Sequence, residues 1–294
     1  MIRRSFLGQM ASLIGTAMVS PGKTARRLSG TPQSAGASDQ EIALKTFAMA
    51  ARRGLQEDAV GEIMAVVGSS FTGTPYAAHA LEVPGPERLV VNLRGFDCTT
   101  FVESTLALSR CVKLGTATFE AFQQQLQTIR YRAGAIQGYP SRLHYLIDWV
   151  ADNERKRIVR DITRDLGGVA VTKPIDFMTT HRQDYRQLDS EENVHAIAET
   201  EHRLTERTYA VVAKQRIALV QDRLRNGDII ALATTVKGLD VTHMGMAVRS
   251  GRIVRLLHAP LSDGTVQLSE RALPEYVAAL TKASGIIVAR PLDS

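Results

Sequence analysis

The sequence predicts an α+β fold in which a mostly helical first part is followed by an antiparallel sheet. Apolar residues recur at helical spacing through much of 39–205. In the final third, β-type runs at 228–234, 241–248 and 253–258 are separated by glycine turns. Helices followed by consecutive strands favour an α+β fold over a doubly wound parallel sheet.

The same patterns predict the individual elements. A first helix is expected to begin at Asp39, with apolar residues at helical spacing as far as Ala48. Further helices are expected at 57–67, 98–112, 119–130, 142–151, 188–204 and 270–280. Beyond the three runs named above, strands are expected at 89–93, 157–162 and 286–289. The residues from 39 to 294 are therefore expected to form one domain, with its helices mostly ahead of its sheet.

The amino terminus has the pattern of an export signal. Arg3 and Arg4 precede an apolar run that ends at Val19, which is too short to span a membrane. Arg-Arg-x-Phe-Leu resembles the twin-arginine signal. We expect residues 1–20 to be a signal peptide, 21–38 a linker, and the mature protein to be periplasmic without an integral membrane span.

The charge of the chain does not indicate nucleic-acid binding. The formal net charge is +6, but residues 1–30 hold five basic residues and no acid. The remainder carries 31 basic and 30 acidic residues, interleaved rather than clustered on one stretch. A nucleic-acid-binding protein needs a clustered basic face.

Cys98 lies at the predicted start of a helix, directly after Asp97. Free N–H groups and the helix dipole at this position favour a thiolate, the form of cysteine that attacks carbonyls. Cys111 lies thirteen residues further along the same helix, beyond disulfide reach. We therefore expect two free thiols, with Cys98 as the candidate nucleophile and an inert buried cysteine as the alternative.

Two histidines lie on consecutive predicted strands. His243 belongs to the run 241–248 and His258 to the run 253–258. Neighbouring antiparallel strands can place two such side chains together, so that one takes the thiol proton and the other orients it. The alternative for each is an ordinary strand histidine.

Four motifs in this order resemble the NlpC-like cell-wall cysteine peptidases, which share the papain-like scaffold. They are Asp-Cys-Thr at 97–99, Asn-Gly-Asp at 226–228, His-Met-Gly-Met-Ala at 243–247 and Leu-His-Ala at 257–259. Further segments resemble the N-acetylmuramoyl-L-alanine amidase-like branch; they lie at 73–76, 93–103, 141–149 and 238–243.

The resemblance implies a helix carrying the nucleophile packed on an antiparallel sheet. It makes Cys98 the nucleophile, His243 the general base and His258 the orienting residue. It also matches Tyr76 and Asp97 to positions that shape the substrate site and recognise a free stem-peptide amine. Thr99, beside the nucleophile, is a further candidate substrate-binding residue. A helical insertion around 113–205 distinguishes the sequence from compact members of the group; it adds Arg142 and His144 as candidate substrate contacts, with helix packing as the alternative for His144.

The function that follows is hydrolysis of an amide bond in peptidoglycan or muropeptide fragments. Cleavage between N-acetylmuramic acid and L-alanine is favoured, and cleavage after γ-D-glutamate is the alternative. An inactive cell-wall binding protein and an acyltransferase are further alternatives. No cofactor is expected. No metal site is implied either, because neither cysteine has a partner at zinc-binding spacing.

Overall fold

The helices occupy most of the chain before the sheet. The computed structural model describes residues 37–293, so the expected signal peptide and most of the expected linker lie outside the described residues. The helices are α1 Asp39–Arg52, α2 Val60–Ser70, α3 Cys98–Lys113, α4 Phe119–Arg130, α5 Leu146–Arg155, α6 Phe177–Thr180, α7 Glu191–Thr205, α8 Ile217–Val220 and α9 Leu273–Ala279.

The strands form one antiparallel sheet. They are β1 Val159–Asp161, β2 Val169–Val171, β3 Tyr209–Ala213, β4 Ile229–Thr234, β5 Val241–Ser250, β6 Ile253–His258, β7 Gln267–Leu268 and β8 Ala283–Pro291. The order across the sheet is β2-β3-β8-β4-β5-β6-β7, and β1 pairs with β8. The predicted α+β class with an antiparallel sheet is confirmed, although the short strands β2, β3 and β7 are not predicted.

Helix α3 lies at the centre of the molecule. Every residue from Thr100 to Val112 is buried, so the helix is enclosed on all sides. It packs against α2 and α4 and against strand β5 of the sheet. This packing brings the amino end of α3, where Cys98 lies, against the strand that carries His243.

A buried ionic cluster holds α3 to its neighbours. The Glu103 carboxylate accepts from the Arg130 guanidinium at 2.7 Å and from the Trp149 indole at 3.1 Å. The Arg130 and Glu103 side chains are 2 % and 1 % exposed. Charges this deeply buried are stable only when each polar group has a partner. The cluster thus joins α3, α4 and α5.

The segment predicted as a strand at 89–93 is irregular instead, so that prediction is wrong. Side chains from elsewhere satisfy its backbone: Arg130 donates to the Val90 carbonyl, and the Leu93 N–H donates to the Asp39 carboxylate. Because these groups have side-chain partners, the segment needs no neighbouring strand. It leads instead as a fixed loop into Cys98.

Within the part of the chain that the structure describes, no helix is both long enough and apolar enough to cross a membrane.

Candidate active site

Cys98 is the first residue of α3, and Asp97 caps that helix. The Thr100 N–H donates to Asp97 Oδ1 at 2.7 Å, and the Asp97 N–H donates to the Thr100 hydroxyl at 3.0 Å. The cap fixes the turn at which the chain enters the helix. In the first turn of any helix the N–H groups lack an intrahelical acceptor. The backbone N–H of Cys98 is hydrogen-bonded to its own sulfur.

The sulfur of Cys98 lies against strand β5, where it is hydrogen-bonded to the backbone of Met244, the residue after His243. The residue is half-buried. Burial raises the pKa of the thiol, and the hydrogen bond from Met244 offsets part of that rise. A hydrogen bond that favours a thiolate must be donated to it, so the Met244 group is its N–H. The Thr99 hydroxyl lies 4.0 Å from the sulfur.

His243 and His258 form a hydrogen-bonded pair. His243 Nε2 lies 2.7 Å from His258 Nδ1. The ring centroids are 5.0 Å apart, and the ring planes meet at 75°. One nitrogen of this bond must donate. If His243 Nε2 is the donor, then its Nδ1 is left as a lone-pair acceptor, which is the form that can take a proton from a thiol.

Strand register creates this pair. Met246 on β5 pairs with Leu257 on β6. In the same register, the next residue towards His243, Gly245, lies opposite His258. His243 and His258 therefore share one face of the sheet on diagonal positions. A Cβ at position 245 would lie 2.7 Å from the Leu257 carbonyl oxygen and 2.8 Å from the His258 Cβ. The glycine thus leaves the space that His258 occupies.

We therefore expect Gly245→Ala to move His258 away from His243. Overpacking of this kind costs about 1–3 kcal/mol of folding free energy. Urea denaturation of the variant should show that loss, and its hydrolytic activity should fall further than its stability accounts for. A variant with the stability and activity of the wild type would contradict this account of the pair.

The ionisation of Cys98 differs from the sequence prediction. Burial, with a further contribution from the Asp97 carboxylate, raises the pKa of the Cys98 thiol to about 11. Burial also lowers the pKa of His243 to about 3 and that of His258 to about 4. The expectation of a resting thiolate is thus wrong, because burial outweighs the helix end. Burial thus favours the neutral thiol at Cys98 and the neutral imidazole at His243 and His258.

This resting state predicts slow alkylation of Cys98. At pH 7 we expect iodoacetamide to react with Cys98 at least about tenfold more slowly than with an unperturbed cysteine, whose pKa is ~8.5. The rate should climb through the alkaline range, since the folded-state pKa is raised. Peptide mass spectrometry separates Cys98 from Cys111. A rate for Cys98 that levels off below pH 7 would reveal a thiolate and refute the neutral state.

Three of the predicted substrate-binding residues lie around the sulfur. Asp97 and Thr99 flank Cys98 in the chain. Tyr76 pairs with Phe96 in an isolated bridge, and the charges of Cys98 and Asp97 raise the pKa of its hydroxyl after the larger effect of burial. Tyr76, Asp97 and Thr99 are half-buried, as expected of residues that line a cleft.

The other two lie in a different cluster. Arg142 is buried, donates to the Leu81 carbonyl at 2.8 Å and pairs with the carboxylate of Glu82 at 2.5 Å. The His144 ring nitrogen Nε2 lies 3.1 Å from the Tyr139 carbonyl oxygen. The Arg142 guanidinium thus holds the loop before Cys98. A substrate-binding role for Arg142 and His144 stays a prediction.

Two neighbours of the site had no sequence signal. The Met244 N–H contacts the sulfur through the backbone, which no side-chain pattern reveals. Tyr276 on α9 packs its ring against His258, with ring centroids 5.2 Å apart. A tyrosine within an amphipathic helix is usually a packing residue, and only the fold places it beside the histidine pair.

No group of three or more His, Cys, Asp or Glu side chains suited to holding a metal ion occurs within residues 37–293. Both cysteines are free thiols, as the sequence predicted.

One protein-family model matches this chain. The AmiA-like family, described as N-acetylmuramoyl-L-alanine amidase-like, matches residues 66–286. That range includes Tyr76, Cys98, His243 and His258. No curated protein matches the chain.

Solved structures of similar proteins share the fold over most of the chain. An N-acetylmuramoyl-L-alanine amidase from Bacteroides uniformis is 37% identical, with a TM-score of 0.76, covering 79% of this chain and 99% of its own. A protein from Bacteroides fragilis described as a putative xylanase is also 37% identical, with a TM-score of 0.72, covering 76% and 98%. A Legionella pneumophila protein is 19% identical, with a TM-score of 0.65, covering 86% and 94%, and shares the fold alone.

Proposed function

The chain belongs to the AmiA-like, N-acetylmuramoyl-L-alanine amidase-like family, and from this premise we propose that it hydrolyses the amide bond between N-acetylmuramic acid and L-alanine. The substrate is peptidoglycan or its muropeptide fragments. One observation carries the proposal: a thiol at a helix start lies against the strand of a histidine that is itself hydrogen-bonded to a second histidine at 2.7 Å.

Cys98 is the nucleophile in this proposal, and His243 is its base. As Sγ attacks the lactyl carbonyl carbon, the thiol proton passes to His243 Nδ1, the ring nitrogen that His258 leaves unoccupied. His243 then carries a positive charge. Its Nε2–H donates to the neutral Nδ1 of His258, which holds the ring in place and stabilises the imidazolium.

The tetrahedral intermediate then collapses. The carbon–nitrogen bond breaks, the L-alanine nitrogen takes the proton from His243, and the lactyl group remains on Cys98 as a thioester. A water molecule, deprotonated by His243, attacks the thioester and releases the carboxylic acid and the free thiol. The base must be unprotonated before each attack, and burial keeps the His243 imidazole neutral.

The developing oxyanion needs hydrogen-bond donors. The N–H groups of Cys98 and Thr99, at the start of α3, have no intrahelical acceptor and are the backbone donors nearest to the nucleophile in the chain. Such backbone donors are fixed before the reaction begins. We assign the oxyanion hole to this helix end.

We also propose that the domain has the papain-like scaffold of the NlpC-like enzymes. The arrangement that supports this is a nucleophile at the amino end of the central helix, a base on β5 and an orienting residue on the adjacent β6. The arginine pair Arg3 and Arg4 before an apolar run supports export to the periplasm, where peptidoglycan lies.

Digestion of defined substrates tests the bond. Purified sacculi and soluble muropeptides are incubated with the enzyme, and the released fragments are identified by mass spectrometry, with Cys98→Ala as the matched inactive control. The proposal predicts stem peptides with a free L-alanine amine. Fragments that retain the lactyl–L-alanine link and are cut after γ-D-glutamate would identify an endopeptidase instead.

A further inference from the structure

The outer nitrogen of His258 has no polar partner within residues 37–293. Its Nδ1 is bonded to His243, but among the described residues no hydrogen-bonding group reaches its Nε2, which is buried. The residue as a whole is 1 % exposed. In most such pairs a hydrogen bond to the second nitrogen fixes the tautomer and the ring orientation. His258 must therefore be oriented by something else.

The ring of Tyr276 is the group in position to do this. It meets the His258 ring edge-to-face, at 5.2 Å between centroids and 79° between planes. Helix α9, which carries it, packs on β6 and β8, and Tyr276 packs against the apolar cluster between α9 and the sheet. Edge-to-face contacts have a preferred geometry as well as apolar area.

Gly245 leaves space for His258 on the neighbouring strand. Because the glycine has no side chain, the His258 Cβ approaches the β5 backbone closely. The imidazole thus lies between the strand and the tyrosine ring, with its Nδ1 directed at His243. Rotation of the imidazole about its own axis would break the bond to His243 and gain no other.

We propose that Tyr276 is a positioning residue of the active site, whose aromatic ring holds the His258 imidazole in the orientation that bonds His243. The inference rests on the roles proposed above for the two histidines. The tyrosine acts through its ring, since the contact with His258 is a ring contact. It acts on His243, and through it on Cys98, without touching the reacting atoms.

The electrostatic surroundings agree with this role. His258 contacts His243 on β5 and Tyr276 on α9. The charges of Asp263, in the loop after β6, and of Cys98, at the start of α3, act on the Tyr276 hydroxyl. Burial lowers the pKa of His258 to about 4. The tyrosine ring contributes to that burial, so its removal admits water to an imidazole that must stay neutral to accept from His243.

Three variants separate the effect of the aromatic ring from that of the hydroxyl and from a general loss of stability. Tyr276→Phe keeps the ring and removes the hydroxyl; Tyr276→Ala removes both. Val277, the next residue on the same helix, is fully buried. Val277→Ala therefore leaves a cavity there and is the control for loss of stability alone. Proton NMR of the imidazole N–H shared by the two histidines reports the bond without any substrate, and the pH profile of hydrolysis reports its consequence.

We expect the shared N–H signal in the wild type, Tyr276→Phe and Val277→Ala, and its loss in Tyr276→Ala. The alanine variant should lose kcat by roughly 10- to 100-fold at nearly constant KM. The pKa that governs the acid limb of its pH–rate profile should rise from the low value of the wild type towards the ordinary histidine value of ~6.5. If Tyr276→Ala does not fold, Tyr276→Leu, which keeps apolar bulk, replaces it and should show the same loss.

A persistent N–H signal with unchanged kcat in Tyr276→Ala would overturn the inference. Loss of the signal in Tyr276→Phe as well would also overturn it, because the hydroxyl rather than the ring would then be responsible. A chain without amidase activity that still shows the NMR pattern expected here would refute the proposed function and leave the contact intact.

Discussion

Replacing Glu103 with alanine is expected to destabilise the protein by about 3–5 kcal/mol, the usual cost of removing one partner of a buried ion pair. The change leaves the Arg130 guanidinium, 2 % exposed, without its carboxylate. It also leaves the Trp149 indole N–H without its acceptor. Since α3, α4 and α5 meet at this carboxylate, the loss should affect the whole domain rather than one helix.

The measurement is urea denaturation of the mature chain, followed by tryptophan fluorescence and circular dichroism together. Asp165→Ala provides the matched control, because Asp165 pairs with Arg160 on the surface, with side chains 58% and 56% exposed. An exposed pair contributes about 0–1 kcal/mol. Equal small losses in both variants would show that the Glu103 cluster does not hold the core together.

The second large effect concerns catalysis. Cys98→Ala and His243→Ala should each lower kcat by about 10⁴- to 10⁶-fold, as substitutions in a catalytic unit do in other hydrolases. The double variant should be no worse than either single one. The physical reason is that the thiol and the imidazole act together in one proton transfer, so removing either abolishes the same step.

His195→Ala is the control for this experiment. His195 lies exposed on α7 and pairs with Glu199 one turn away, so its removal should leave kcat unchanged. Rates for muropeptide hydrolysis are compared at saturating substrate for the wild type and all four variants. Losses that multiply in the double variant would indicate that Cys98 and His243 contribute independently, against the mechanism proposed above.

Much of the fold could be predicted from local patterns. Helix α4 has the predicted bounds, 119–130, because Thr118 caps it, accepting from the Ala121 N–H at 3.1 Å. Strands β4, β5 and β6 follow the glycine-separated β-type runs closely. These elements carry their own start and stop signals, so no tertiary information was needed.

The failures are equally physical. Strand β3, Tyr209–Ala213, is a short apolar run, and such a run cannot be told from a buried helix segment by periodicity. The run at 89–93 has strand-like residues, but long-range side chains such as Arg130 satisfy its backbone. Both outcomes depend on partners distant in the chain, which local spacing does not specify.

In the candidate site, too, local patterns predict some features, and others depend on residues distant in the chain. Motif order predicts Cys98, His243 and His258 as the members of the candidate site, and strand register explains how the two histidines meet. The raised pKa of Cys98 could not be predicted, because the helix end is a local feature whereas burial depends on the tertiary packing around the sulfur. Tyr276 was missed for the same reason, since only the packing of α9 brings it to His258.

The most direct test of the central claim is to trap the covalent intermediate. The enzyme is mixed with a muropeptide, quenched in acid within the first turnover, digested and analysed by mass spectrometry. The mechanism predicts an acyl adduct of the N-acetylmuramoyl portion on the peptide that contains Cys98, absent from Cys98→Ala. Full hydrolysis by the Cys98→Ala protein, with no adduct on the wild-type cysteine, would contradict it.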